Sequence, residues 1–365
     1  MPELASQSLL ISISLFLVSA GAIAISGIWM TAIAETLAKR TGIGEALMGA
    51  IFLGLSTSLP GIVTSVTAAL SGYPELSISN ALGDIAAQTA FLGIADITYL
   101  EFNLEYAAAS AATLTQGTLL IVLLAIPLLT IANPAFTFWG IHPASIALVA
   151  TYIFGLRLVA IAQTLPMWHP QQIEKINIDT QPSIAPEFDS NLVAKSSGEE
   201  SLLNESDSPG IIGLWLRFLL LVAVLSIAGY GLEQTGEYIA DSTKLSENVV
   251  GSLFTAISTS LPELVTSIAA VRRGALTLAV SNVLGGNSFD VLFLAFSDLV
   301  YSKGSIYQAL TSHEVFILAL TIVMTGILVL GLLQREKHGI GNIGFESFLV
   351  LLLYVGGFLL IFFSS

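Results

Sequence analysis

Apolar residues fill long stretches of this chain, and polar positions fall between those stretches rather than alternating within them. A helix crossing the hydrocarbon core needs about 20 mostly apolar residues, and that length recurs along the sequence. Candidate spans lie near 9–32, 45–70, 76–100, 108–132 and 140–164, then near 211–236, 247–271, 275–300, 312–333 and 343–363. Ser71 to Pro74 and Arg272 to Gly274 make short turns between neighbours. The pattern predicts an all-α membrane protein with ten transmembrane helices, five on each side of a polar centre. The stretch from Leu9 to Ile28 has the length of a secretory signal, but only Glu3 precedes it as a charge. A signal peptide carries a basic leader, so this stretch is expected to stay as a membrane helix.

Composition agrees with lipid as the main solvent. The chain is 54% hydrophobic with 10% charged residues and a mean hydropathy of +0.84. Soluble domains carry about 25% charged residues, so there are too few charges here to cover a water-facing globule. Of the net charge of -14, much sits between Pro166 and Gly210, where Glu174, Asp179, Glu187, Asp189, Glu199, Glu200, Glu205 and Asp207 face only Lys175 and Lys195. That segment, rich in Ser and Pro, is expected to be a solvated, disordered linker. Three parts follow: a first membrane repeat over 1–165, an acidic linker over 166–210 and a second membrane repeat over 211–365. Without a basic patch there is nothing to neutralise phosphates, which excludes nucleic acid. The absence of cysteine excludes disulfides and thiolate metal sites.

The basic residues orient the spans. With the N-terminus outside, Lys39, Arg40, Lys175, Lys195, Arg272, Arg273, Arg335 and Lys337 fall on the cytoplasmic side. Arg157 and Arg217 lie near that side, and only Lys244 and Lys303 fall outside. This positive-inside bias places both termini outside the cell membrane and the linker in the cytoplasm.

A shift of 202 positions aligns the chain with itself. Ser56–Ser65 (STSLPGIVTS) meets Ser258–Ser267 (STSLPELVTS), and Ser79–Gln88 (SNALGDIAAQ) meets Ser281–Asp290 (SNVLGGNSFD). From Glu35 to Tyr99, 25 of 65 positions are identical without a gap. That exceeds what shared hydrophobicity produces. Five spans per copy is an odd number, so the second copy sits upside down relative to the first. Inverted repeats place a substrate site at mid-depth where the copies meet.

The motif itself carries cation chemistry. In Ser258-Thr259-Ser260-Leu261-Pro262-Glu263, Pro262 lacks an N–H and frees the Ser258 carbonyl. Such a carbonyl at membrane depth must face protein, water or an ion. Thr259 and Ser260 add hydroxyls, Glu263 adds a carboxylate, and Asp290 brings a second acid from the next span. An ionised carboxylate at the bilayer centre costs at least about 3 kcal/mol. No Lys, Arg or His lies at that depth in these spans, so a hard cation held by oxygens is the natural partner. A Pro-kinked helix with back-bonded hydroxyls and protonated acids is the plainer alternative, which the recurrence in both copies disfavours.

The pair TSLPE plus SN-x-x-G-x-N-x-x-D resembles the alpha repeats of the calcium/cation antiporter superfamily, the sodium/calcium exchangers. The resemblance implies a ten-helix inverted-repeat fold with the ion site on helices two, three, seven and eight. Carried over by position, it implies Thr259, Ser260, Glu263 and Asp290 as ligands from the second copy, and Thr57, Ser58 and Gln88 from the first. The first copy departs from the family pattern at two places. Gly61 stands where the family has glutamate, and Asp84 follows Gly83 where the family has serine. Asp84 and Gln88 share a helix face at a spacing of four. Asp84 therefore either restores the lost charge or caps and hydrates a helix end, and both readings stand. Calcium takes six to eight oxygens, so the missing glutamate favours weak calcium binding or a preference for sodium or protons.

The expected activity is secondary antiport of calcium or another cation against sodium or protons, with inorganic cations and lipid as partners and no resident cofactor. The alternatives are a sodium/proton-type exchanger with weak calcium binding, and a relative that binds an ion without transporting it. A membrane enzyme is disfavoured, since neither nucleophile nor substrate portal is visible. Gly339–Gly344 matches a dinucleotide fingerprint as a string but joins two spans with no strand, and no Walker A lysine exists, so no nucleotide partner is expected. The sequence is silent on oligomeric state.

Overall fold

The computed structural model describes residues 9–41, 54–99, 103–131, 137, 140–164, 210–272, 276–336 and 344–364. The expected linker lies outside these residues except for Gly210, as do Lys175, Lys195, Arg273, Lys337 and most of the Gly339–Gly344 string.

The regular elements are helices. In the first half they are α1 (Leu9–Thr41), α2 (Gly54–Ser71), α3 (Pro74–Ile97), the short connecting α4 (Leu104–Ala108), α5 (Ala111–Ile131) and α6 (Pro143–Thr164). The second half has α7 (Ile211–Thr243), α8 (Glu247–Thr259), α9 (Leu261–Arg272), α10 (Leu276–Asp290), α11 (Leu292–Val300), a 3-10 turn at Ile306–Ala309, α12 (Ser312–Gln334) and α13 (Phe345–Ser364). Among the described residues, seven helical stretches are long and apolar enough to cross a membrane, or eight if α8 and α9 form one bent span. Helix α3 has the length, at 24 residues, but is rich in Ser, Ala and Gly. Its position explains this: every residue from Leu76 to Gly93 is buried in protein, so that stretch of the helix is shielded from lipid.

The lipid-facing surface is carried by other helices. Helices α1 and α7 pack as a pair through Phe16, Ile23, Met30, Leu221, Leu225 and Leu232. Their outer faces leave Leu10, Leu17, Val18, Leu216, Leu220 and Ile227 exposed. Both helices run to 33 residues, well past the expected ends at 32 and 236. At about 1.5 Å per residue they are longer than a bilayer core of about 30 Å.

The second-copy motif breaks its helix. Helices α8 and α9 meet at 44°, and Ser260 sits between them at φ -88° and ψ 3°. Pro262 cannot donate to the Ser258 carbonyl and its ring crowds it, which ends the preceding helical ladder. A π-helical turn over Val250–Thr255 shifts the ladder just upstream. That turn crosses α3 at Gly83, where an added Cβ would lie 2.3 Å from the Ser252 carbonyl oxygen. Only glycine allows the two backbones to come this close.

Candidate functional site

The broken helix α8–α9 and the buried helix α3 bring oxygens of both copies to one place. Asp84, Gln88, Glu263 and Asp290 are all buried, as are Thr57, Ser58, Thr259 and Ser260. Asp290, at the end of α10, is held by the first copy: Ser58 Oγ donates to its Oδ1 at 2.6 Å and Gln88 Nε2 to its Oδ2 at 2.8 Å. Asp84, on α3, is held by the second copy through the Ser260 hydroxyl. Each carboxylate is thus clamped by a serine of the opposite Thr-Ser-Leu-Pro motif.

Asp84 also occupies the ground left by Gly61. A Cβ built on Gly61 would lie 3.0 Å from Asp84 Oδ2 and 2.7 Å from the Phe293 ring. A glutamate at 61 would meet both groups, so Gly61 and Asp84 fit each other sterically. The helix-end alternative for Asp84 does not match this placement, since the residue is buried eleven positions into α3.

Glu263 differs from the other two acids. It lies in the first turn of α9, and neither carboxylate oxygen has a hydrogen-bond partner among the described residues. Thr57 faces it from the first copy. Gln88 Oε1 is likewise buried and unpartnered. Buried acceptors of this kind cost about 1–3 kcal/mol each, more for charged groups, unless a proton or cation satisfies them. The Thr259 hydroxyl donates to the Thr255 and Ala256 carbonyls at 3.0 Å, which leaves its oxygen lone pairs for another partner. Among the described residues, none of the hydrogen bonds to Asp84 or Asp290 comes from Lys, Arg or His.

The profile of a protein family described as "Sodium/calcium exchanger protein" matches the chain twice, over residues 11–161 and 213–363. The chain belongs to the sodium/calcium exchanger family. The two matches are displaced by the same 202 positions as the internal repeat. This exchanger-family chain is 24% identical over 318 residues to the inner membrane protein YrbG of Escherichia coli (strain K12), covering 87% of this chain and 88% of that protein. Its fold is similar to the crystal structure of the H+/Ca2+ exchanger CAX, with a TM-score of 0.63 and 14% identity over 97% of this chain and 85% of that one. It is also similar to the sodium-calcium exchanger NCX_Mj, with a TM-score of 0.57 and 20% identity over 95% of this chain and 97% of that one. The family is one of exchangers rather than enzymes, and its members are multi-pass membrane proteins.

Two residues near the site escape a motif-based reading. Tyr152 on α6 lies within electrostatic reach of Asp290, and Tyr354 on α13 within reach of Asp84. The two tyrosines are themselves 202 positions apart, and that offset is the signal that would have found them. Asn287, part of the SN-x-x-G-x-N-x-x-D string, ties α10 to α3 by donating to Thr89 Oγ1 at 2.9 Å and to the Ile85 carbonyl at 3.4 Å.

Proposed function

We propose that this exchanger is a secondary active antiporter that moves calcium or another cation against sodium or protons by alternating access. The observation that carries this reading is the meeting of Asp84, Glu263 and Asp290 in one buried cluster built from both copies, with no basic group among the described residues hydrogen-bonded to Asp84 or Asp290. Two or more carboxylates gathered in a membrane interior require cations or protons to neutralise them. Hydroxyl, carboxyl and amide oxygens suit hard cations. Thr57, Ser58, Gln88, Thr259 and Ser260 are the neutral oxygens of the set, and no resident cofactor enters the cycle.

The architecture belonging to this reading is ten spans in two inverted five-helix repeats, over 1–165 and 211–365. The acidic segment 166–210 joins them in the cytoplasm, and both termini face outward from the cell membrane. In an inverted pair the site is reached from either side by exchanging the roles of the two copies. The serine of one copy clamping the acid of the other gives each exchange of roles a direct consequence at the ligands.

Gly61 favours a second reading of the cargo. Only one of the two Leu-Pro motifs carries its acid, and Asp84 reaches the cluster from a different helix. A cluster with altered charge placement suits sodium or protons with weak calcium binding. Uptake by protein-containing liposomes, measured for calcium, sodium and protons in turn, tests both readings. Transport of at least one cation above empty liposomes is expected. Binding without uptake for every cation tried would leave only an ion-binding relative that does not transport.

A further inference from the structure

The two copies build matching corners at equivalent positions of their repeats, and the corners differ in their acidic residues: Glu105 stands where the second copy has Tyr307, and Glu346 where the first has Ala144. In the second copy, Asp298 Oδ1 accepts from Ser305 Oγ at 2.7 Å and from the Ile306 N–H at 3.0 Å. Its Oδ2 accepts from the His142 N–H and from Ser145 Oγ, both at 2.8 Å. Ser145 Oγ also lies 3.1 Å from the Tyr307 hydroxyl. This carboxylate is fully satisfied by neutral donors.

In the first copy, Asp96 makes the equivalent backbone bonds, Oδ1 to the Leu104 N–H at 2.8 Å and Oδ2 to the Gly344 N–H at 3.0 Å. Positions 96, 104, 142 and 145 lie 202 residues before 298, 306, 344 and 347. The residue matching Tyr307 is Glu105, a buried carboxyl in place of a phenol. Ser347 Oγ donates to Glu105 Oε1 at 2.6 Å, whereas Glu105 Oε2 is buried with no hydrogen-bond partner among the described residues. Glu346 closes the group. A Cβ built on Gly344 would have Glu105 Oε2 at 2.8 Å, Glu346 Oε2 at 3.4 Å and Asp96 Oδ2 at 3.5 Å.

Three carboxyl groups therefore share a space one side chain wide, and the aspartate–tyrosine corner shows that the fold does not require them there. We infer that Glu105 is a proton-binding site, separate from the mid-membrane cluster, whose proton holds the connecting helix α4 against Asp96 and the start of α13. Protonated, Glu105 gains an O–H donor for a neighbouring carboxylate. Ionised, it faces Asp96 and Glu346 as like charges and loosens this corner. Arg335 and Glu336 follow the last turn of α12, whose first turn carries His313 and Glu314; α10 presents Val280 to the cavity and ends in Asp290, and α3 carries Glu75 and Asp84 besides Asp96. Tyr106 is its titratable neighbour on α4. Burial, aided by Asp96, pushes the Glu105 carboxyl up to about 7. The cavity beside Glu105 is lined otherwise by Leu92, Leu104, Val280, Leu328 and Leu332. An apolar lining offers no oxygens to complete the shell of a divalent cation, which favours a proton as the occupant.

The test is carboxyl infrared spectroscopy on the purified full-length protein, titrated from about pH 5 to about pH 8.5, for wild type, Glu105→Gln and Glu263→Gln. The protonated-carboxyl band lost across this range with a midpoint near 7 should be smaller in Glu105→Gln than in wild type by the amplitude of one carboxyl, while Glu263→Gln keeps that component; what remains in Glu105→Gln belongs to the other buried acids. Glu105→Tyr, which restores the residue type found at the Asp298 corner, serves if the glutamine variant does not fold, and it should show the same reduction. Wild type with no carboxyl titration in this range overturns the assignment. So does a titrating amplitude that is undiminished in either Glu105 variant. A midpoint that falls when calcium or magnesium is added, in wild type but not in Glu105→Tyr, would show a metal site instead.

Discussion

Gln88 and Asp290 occupy the same position in their respective repeats, 202 residues apart, and they touch: Gln88 Nε2 donates to Asp290 Oδ2 at 2.8 Å. A contact between repeat mates marks where the copies meet. It also fixes their difference in charge, since one position carries an amide and the other a carboxylate. Gln88→Glu removes the donor and adds a second negative charge against Asp290. Apparent affinity for calcium should rise relative to sodium, by about tenfold for each 1.4 kcal/mol gained. Competition between the two ions for binding to purified protein reads the change. An unaltered ratio would place this pair outside the ion site.

Asp84 lies where a side chain at Gly61 would go. If it supplies the charge absent from Leu-Pro-Gly61, Asp84→Asn should weaken cation binding by about tenfold or more, the scale of a lost charged interaction. Thr118→Ala is a suitable control, because Thr118 is exposed and, among the described residues, bonds only to the Leu114 carbonyl of its own helix. Thr113, by contrast, is fully buried and bridges Ser110 and Ala108 at the start of α5. Equal ion affinity in Asp84→Asn and wild type would show that Asp84 is structural.

Much of this could be read from the chain because the duplication is repeated residue by residue. The shared Thr-Ser-Leu-Pro strings led to Ser58 and Ser260, and the structure brings each to the acid of the other copy. The fit between Gly61 and Asp84 was not legible. It depends on the distance between neighbouring helices α2 and α3, and on the Phe293 ring that fills the remaining space. Tyr152 and Tyr354 lie beyond the Glu35–Tyr99 window in which the copies are most alike. The bend falls at Ser260, ahead of Pro262, because the residues before proline carry the broken ladder. The apolarity rule undercounts α3, since a helix wrapped in protein is under no pressure to be apolar towards lipid.

Gly83 and its repeat mate Gly285 should respond unequally to the same change. An added methyl at Gly83 meets backbone, the Ser252 oxygen at 2.3 Å, while at Gly285 the nearest atom is the end of the Gln116 side chain at 3.3 Å. Gly83→Ala should cost about 1–3 kcal/mol as overpacking. Gly285→Ala should cost less, because Gln116 can move. Thermal unfolding of the two variants in one detergent gives the comparison. Equal losses would show that α8 yields at the crossing.

The Glu105 corner predicts a direction for stability against pH. Its carboxyl is raised from an ordinary value of 4.5 to about 7, so the folded chain holds the proton more tightly than the unfolded one. The stabilisation from this group is fully present below about 4.5 and is lost as pH rises through about 7. Wild type should therefore unfold at a lower temperature at pH 8 than at about pH 5.5, with Glu105→Gln showing a smaller difference. An identical pH dependence in both proteins would remove Glu105 as its source.

Glu263 holds both carboxylate oxygens buried without a hydrogen-bond partner among the described residues, in the one Leu-Pro motif that keeps its acid. The most direct measurement is cation uptake into liposomes with and without a countercation on the opposite side, for wild type and Glu263→Gln. Uptake by wild type should require the countercation, and Glu263→Gln should fall to the level of empty liposomes. Uptake that is indifferent to the countercation, or undiminished in Glu263→Gln, would contradict antiport through this site.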